Sequence, residues 1–283
     1  MTNSEQNQSL SLFDHEMQRV IEEMNKKMEI LQREVDRQAL VVARMKANRE
    51  AWLNEHDKAT HQTTARNIAD YKREIYCPKG EIDYDPQKGR ILRATSDIEE
   101  AEVILVEDAV VYTYDREHEI YRPNLGFLFN TWCIVKAMAT LNGDQLALIE
   151  DMANSKQEQI DFFAEKLAEL RQQGISALPH STPKIEANLI GICQTNAFQC
   201  KLEDGSKARG IFPLAAILSH SCHPNSCHKI IDGRLFMQAM IPIAAGQEIT
   251  HSYIEDFTPQ SRRQQIFWEQ FGFICRCEAC NKR

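Results

Sequence analysis

The stretch Phe271-Gly-Phe-Ile-Cys-Arg-Cys-Glu-Ala-Cys280, read with Ser219-His-Ser-Cys-His-Pro-Asn225 upstream of it, decides what kind of chain this is. Three thiols crowd into Cys275–Cys280. Zinc takes four tetrahedral ligands, and close-spaced thiols on a tight turn supply three of them from one short segment. The fourth has to come from elsewhere. Cys222 is a candidate, and Cys227, His220 and His223 rival it on chemistry alone. The competing reading is a set of unligated surface cysteines, an odd liability for a polar tail, so a structural metal is expected here.

Working outward, composition changes abruptly at Pro78, before which no Gly or Pro occurs. A run that long without either breaker reads as helix, with Ser11 or Asp14 as a cap. Its apolar residues keep a seven-residue rhythm: Ile21, Met28, Val35 and Val42 at one core position, Met17, Met24, Leu31, Met45 and Trp52 at the other. Gln38 interrupts the second series and Arg49 ends the first. Such a register builds a coiled coil that dimerises or takes a partner helix; the alternative is an amphipathic helix folded back on its own domain. His56–Asn67 is polar and reads as a weak helix or linker. Beyond Pro78, Arg90–Ala94, Glu102–Val111, Leu235–Ala239 and Glu248–Tyr253 have strand character, with turns at Asp232-Gly233 and Ala245-Gly246. Leu125–Gly174 reads as helical, and Thr182-Pro183 starts a further helix.

The chain's 283 residues are 43% hydrophobic and 26% charged, which suits a folded domain rather than a disordered chain. A net charge of −8 argues against a protein drawn onto nucleic acid by its overall field. The apolar runs are far shorter than the ~20 residues of a membrane helix. The N-terminus is polar and lacks a secretion signal, so an intracellular location, cytoplasm and/or nucleus, is expected. Nine cysteines there should be reduced thiols or metal ligands.

His220-Ser-Cys-x-Pro-Asn225, Gly246-Gln-Glu-Ile-Thr-His-Ser-Tyr253 and Phe271-Gly-Phe-x-Cys-x-Cys-x-x-Cys280 follow the order found in SET-domain protein methyltransferases. Lys88-Gly-Arg-Ile-Leu-Arg-Ala94, Glu102–Glu107 and Ile192–Phe198 resemble further segments of the SET-and-MYND branch. The similarity covers about residues 80–120 and 185–283. It implies an α+β fold: a β-rich knotted SET domain over 77–260 with a helical insert at 121–184, a zinc-bound post-SET segment at 261–283, and the helical arm at 1–76 in front.

By that resemblance the cofactor is S-adenosylmethionine and the substrate a lysine side chain of a protein, histone or non-histone. Lys88, Gly89 and Arg90 are placed along the methionine end of the cofactor. Asn196, Ser219 and His220 are placed at its polar groups, Phe273 on its adenine, and Tyr253 beside both the cofactor and the reacting amine. Cys222 joins Cys275, Cys277 and Cys280 around zinc.

The chain also departs from the pattern. Ile91 stands where the family has a second glycine, Ser219 replaces an asparagine, and Phe271 replaces a tyrosine. No Cys-x-x-Cys series lies between Tyr121 and His180, where the MYND module is expected, and the sequence ends before a helical C-terminal domain. Two readings follow: a lysine methyltransferase with a coiled-coil arm, or a weak or inactive SET fold kept as a zinc-stabilised protein-binding module.

Overall fold

The structure, a computed structural model, describes residues 3–56, 63–114, 126–201, 206–254 and 258–281, with side chains from residue 17 onward except 126–130 and 201. Helix α1 runs over Asn3–Glu55 without a break, as expected from its lack of Gly and Pro. It begins upstream of Ser11 and Asp14, which therefore lie inside it rather than capping it. The short α2, Ile68–Tyr71, is capped by the Asn67 side chain and sinks Ile68 and Tyr71 into the main core. The neighbouring 57–62, part of the expected linker, lies outside the described residues.

Among the described residues the β-rich body is four small sheets. Strands β1 (Gly80–Asp85) and β2 (Gly89–Ala94) form an antiparallel hairpin. Strands β3 (Val103–Asp108), β8 (Ser226–Ile231) and β9 (Arg234–Ala239) make an antiparallel sheet with β9 in the middle. The turn between β8 and β9 is Asp232-Gly233, both residues at positive φ, which matches the twist of a two-residue hairpin. The single strand expected over Glu102–Val111 divides: Ala109 and Val110 separate β3 from β4 (Val111–Tyr114). Strand β4 joins β6 (Lys207–Ile211) and β5 (Phe198–Lys201) in another sheet. Finally, β7 (Ser219–His220) lies parallel to β10 (Thr250–His251), so the strand expected over Glu248–Tyr253 shrinks to two residues.

Between β4 and β5 the described residues, from 126 on, are mainly helical. The expected long segment breaks into α3 (Gly126–Ala137), α4 (Gly143–Glu150) and α5 (Ile160–Gln172), then α6 (Pro183–Asn196) with Thr182 as its cap. Helices α5 and α6 pack together, burying Phe163, Leu167, Leu170 and Ile190. Gly191 lets the loop after α4 approach α6, since a Cβ there would sit 2.6 Å from Asn154 Oδ1. Helices α7 (Gln260–Ile266) and α8 (Glu278–Asn281) flank the cysteine tail.

Helix α1 is divided between two environments. Its C-terminal third docks on the β3–β9–β8 sheet: Met45 is buried, and Trp52 stands edge-on to Phe236 and Tyr76, ring centres 5.6 Å away in each case. Asn48 Nδ2 donates to Ala101 O at 2.7 Å, Gln238 Nε2 donates to Met45 O at 2.9 Å, and Arg49 bonds Gln238. Upstream, Met17, Ile21, Met24, Met28, Leu31, Val35 and Val42 are all at least half exposed. No described helix is long and apolar enough to cross a membrane.

Candidate functional site

The tail is built around four sulfurs. Cys222, from the loop after β7, meets Cys275, Cys277 and Cys280, and all four Sγ atoms lie within 4.8 Å of one another. Cys222 and Cys280 are 3.6 Å apart. Zinc–sulfur bonds of about 2.3 Å in a tetrahedron put sulfurs about 3.8 Å apart, so this donor set fits zinc. Cys227 lies away from the cluster, with its thiol 3.9 Å from Met45 Sδ, and His223 is exposed. His220, the other chemical rival, stands behind the cluster rather than in it.

Local sequence explains why the thiols converge. After α7 the helix loosens into a π turn over Phe267–Phe271 and ends at Gly272, at φ +74. Gln264 then clamps the tail: its amide nitrogen donates to Cys275 O at 2.8 Å, and its oxygen accepts from Cys275 N–H at 3.0 Å. Cys280 and Asn281 both donate backbone N–H to Cys277 O, closing the turn. Burial pushes the Cys222 thiol pKa up and that of Cys275 up to about 11. Burial also opposes ionisation at Cys277, but backbone donors and neighbouring thiols outweigh it and bring that pKa down to about 7. The cluster thus already holds one sulfur prepared to be a thiolate ligand.

His220 links this cluster to Tyr253. Tyr253 N–H donates to His220 Nδ1 at 3.1 Å, so the ring proton sits on Nε2, which faces Cys222 Sγ at 3.2 Å. Desolvation, with the Arg263 charge as a second cause, lowers the His220 pKa to about 4, which keeps the imidazole neutral. Both nitrogens are committed within the protein. Any contact of His220 with a ligand therefore comes from its backbone or its ring face.

Tyr253 itself is half-buried among aromatic rings. Its hydroxyl donates to Leu218 O at 2.7 Å, and burial pushes its pKa up, so it stays protonated. Phe271 lies 5.0 Å from its ring centre, His251 4.9 Å, His220 5.3 Å and Phe273 6.2 Å. Phe273 in turn stacks on Phe267, which is fully buried and 4.3 Å from His220. Phe267 escaped the sequence reading; its four-residue spacing to Phe271 on one helical turn was the available signal. The His251 ring is a second missed neighbour, stacked on Phe198 with its Nδ1 unpartnered.

Two chain segments are tied together beside this box. Asn225 Nδ2 donates to Glu248 O at 2.8 Å, and Asn225 Oδ1 accepts from Thr250 N–H at 2.8 Å. Ser226 Oγ adds a bond to Thr250 O, and Ser221 N–H one to His251 O.

The remaining expected site residues are placed less openly. Gly89 opens β2 at φ +81. Lys88 Nζ pairs with Glu248 at 2.5 Å, and Arg90 pairs with Asp151 at 2.7 Å. Asn196 is buried, and its amide donates to Ala153 O and Ile192 O. Ser219 is half-buried in its pairing with Thr250. Ile91 is 1% exposed yet lies outside both apolar clusters, while its neighbour Leu92 is in the main core. Strand alternation puts Ile91 on the opposite face of β2.

A family model described as "SET domain" matches residues 89–254, more than half of the chain. Among curated proteins, histone-lysine N-methyltransferase ASHR1 of Arabidopsis thaliana is 29% identical over 52% of this chain and 28% of its own length. Protein-lysine N-methyltransferase SMYD4 of Mus musculus is 33% identical over 40% of this chain and 15% of its own. Histone-lysine N-methyltransferase SMYD3 of Mus musculus is 34% identical over 38% and 25%. The chain spans less than a third of the length of these relatives. The solved Rubisco LSMT bound to Sinefungin and Monomethyllysine is similar at a TM-score of 0.48 and 12% identity, over 76% of this chain and 57% of that one, a likeness too loose to carry residue roles.

Proposed function

The chain belongs to the SET-domain family, and on that premise we propose that it is an S-adenosylmethionine-dependent protein-lysine methyltransferase of the SET-and-MYND-like branch. The observation that carries this reading is Tyr253, held at its backbone by His220 and at its hydroxyl by Leu218 O, inside a wall of aromatic rings. The names of the three relatives described above, each a lysine N-methyltransferase, support it.

Methyl transfer to lysine needs a neutral amine in line with the methyl group. Free lysine, with a pKa of about 10.4, is almost wholly charged at neutral pH. A dry aromatic wall beside a sulfonium lowers that pKa through desolvation and like charge. Because the Tyr253 proton is engaged on Leu218 O, the hydroxyl oxygen keeps its lone pairs for the amine. Tyr253 then orients the nucleophile, and the rings of Phe271, Phe273 and His220 exclude water from the reacting amine.

The bound cofactor would supply the electrophilic methyl. Lys88, Gly89 and Arg90 would line its methionine end, Asn196, Ser219 and His220 its polar groups, and Phe273 its adenine. Zinc held by Cys222, Cys275, Cys277 and Cys280 would keep Phe271 and Phe273 in the wall. The donor set fits at Tyr253 and on the aromatic side. It departs at Ile91, whose buried branched side chain fills the face of β2 where the family brings backbone close. That burial favours the second reading, a weak or inactive SET fold serving as a zinc-stabilised protein-binding module.

The same proposal covers a protein substrate, histone or non-histone, met in the cytoplasm and/or nucleus. It also covers the three-part organisation: arm 1–76, SET domain 77–260 with insert 121–184, and post-SET segment 261–283. Burial of Ile68 and Tyr71 ties the end of the first part to the second. The tie that Asn225 makes between the two segments supports the family's knot.

Calorimetric titration with S-adenosylmethionine separates the two readings. Saturable binding is expected, and Tyr253→Phe should leave it within about two-fold while reducing methyl transfer by roughly 100-fold or more. No saturable binding below millimolar overturns the enzyme and leaves the binding module.

A further inference from the structure

We propose that residues 17–42 of α1 pair with the same segment of a second copy of this chain, antiparallel, about a two-fold axis between Glu29 and Ile30. The inference concerns the arm alone and does not depend on methyl transfer. It rests first on continuity. The seam whose last members, Met45 and Trp52, dock on the protein's own sheet continues toward the N-terminus as a bare apolar stripe, where Met28 and Leu31 are each 65% exposed. Stripes of this size on a helix in water mark an interface.

The pattern of the stripe selects its occupant. Read from either end about that axis, Met28 meets the partner's Leu31, Met24 the partner's Val35, and Met17 the partner's Val42. Gln38 falls against the partner's Ile21 as the one polar intrusion. A two-fold interface requires this reciprocity, in which residue i meets j and j meets i.

The flanking positions select the direction. Between residues 17 and 42, the residues beside the seam on one edge are Val20, Lys27, Glu34 and Val41, and on the other Gln18, Asn25, Gln32 and Ala39. Lys27 and Glu34 are the only charges among them; both side chains are exposed, and each pairs within its own helix, Lys27 with Glu23 and Glu34 with Arg37. Antiparallel pairing sets Lys27 opposite the partner's Glu34 and Glu34 opposite the partner's Lys27, with Val20 beside the partner's Val41. Parallel pairing sets Lys27 against Gln32 and Glu34 against Ala39, with no charge pair across the interface. Each body sits on the seam from Met45 onward, so parallel helices would crowd two bodies at one end, whereas antiparallel helices hold them at opposite ends, with the partner's residues 3–16 leaving the seam where that body covers it.

Sedimentation of the full chain tests this, with helix content followed by circular dichroism so that loss of pairing is not confused with unfolding. The wild type is expected to dimerise reversibly, and Leu31→Asp to stay monomeric. Lys27→Glu alone and Glu34→Lys alone should each weaken the dimer roughly ten-fold, because both reciprocal charge pairs become repulsive. An equimolar mixture of the two variants should recover wild-type affinity, since the introduced glutamate then faces the introduced lysine. A wild type that is monomeric at tens of micromolar overturns the proposal. So do single variants that dimerise like the wild type, or a mixture no tighter than its components.

Discussion

At the C-terminus, Phe271–Asn281 adds a single residue, Cys275, to the buried set, yet four thiols, the Gln264 clamp and a turn around Cys277 O hold it in one place. At the N-terminus, α1 has apolar side chains in abundance, but among those described from residue 17 onward the first that is fully buried is Met45. A segment with little to bury can be ordered by coordination chemistry. A segment with much to bury stays half-exposed until another surface meets it. The difference lies in where the stabilising atoms are: a metal site closes within a few ångströms, whereas an apolar stripe needs an equally long partner.

Removing the metal should break this comparison at its strong end. Cys277→Ser, or a chelator, is expected to release any bound zinc and expose Phe271–Asn281 to proteolysis, while α1 stays docked at Met45. Structural zinc sites in small peptides are worth on the order of 10 kcal/mol, so the effect should be all-or-none. Full metal content in Cys277→Ser would show that the ligand set is wrong.

Acid should loosen the body that both ends rest on. Desolvation lowers the His228 pKa to about 4 and that of buried His251 well below its ordinary value, with the charges of His228 and His220 adding to the effect at His251. These rings are neutral in the fold and charge readily once unfolded, so their contribution is present above about pH 6.5 and lost as pH falls toward 4. His228→Phe should remove up to about 3 kcal/mol of that loss, read as a flatter stability curve between pH 6.5 and 4. An unchanged curve would place the acid sensitivity in the thiol cluster instead.

The two halves of α1 can be set against each other by the same substitution. Met45→Ala, at a buried site, should destabilise by about 2–3 kcal/mol in denaturant unfolding. Met28→Ala, in the exposed stripe, should change monomer stability by no more than about 0.5 kcal/mol. Smallest of all, deleting residues 1–36 should leave the midpoint of the monomer's unfolding nearly unmoved. A large loss there would mean that the stripe packs within its own chain.

Much of this was legible in the residues. The thiol spacing in Cys275–Cys280, the absence of Gly and Pro before Pro78, the Asp232-Gly233 turn and the Thr182-Pro183 helix start are local signals, and each appears where its chemistry puts it. The strand expected over Glu248–Tyr253 is shorter in the fold because its residues bond side chains of the segment after β7, Asn225 and Ser226, more than a ladder. Ser11 and Asp14 misled as caps because uninterrupted helix propensity carried α1 further upstream.

Composition and spacing along the chain determined the cysteine tail, the long helix with its heptad stripe, and the mixed α+β class. The fold decided the rest. Cys222, rather than Cys227, joins the thiols because the loop after β7 meets the tail. His220 has both nitrogens tied between Cys222 and Tyr253, Ile91 is buried outside both apolar clusters, and the heptad seam meets the protein's own sheet from Met45 onward. Hydrogen bonds and burial between segments far apart in the chain depend on which surfaces come together, and a linear pattern carries only the preferences of each surface alone.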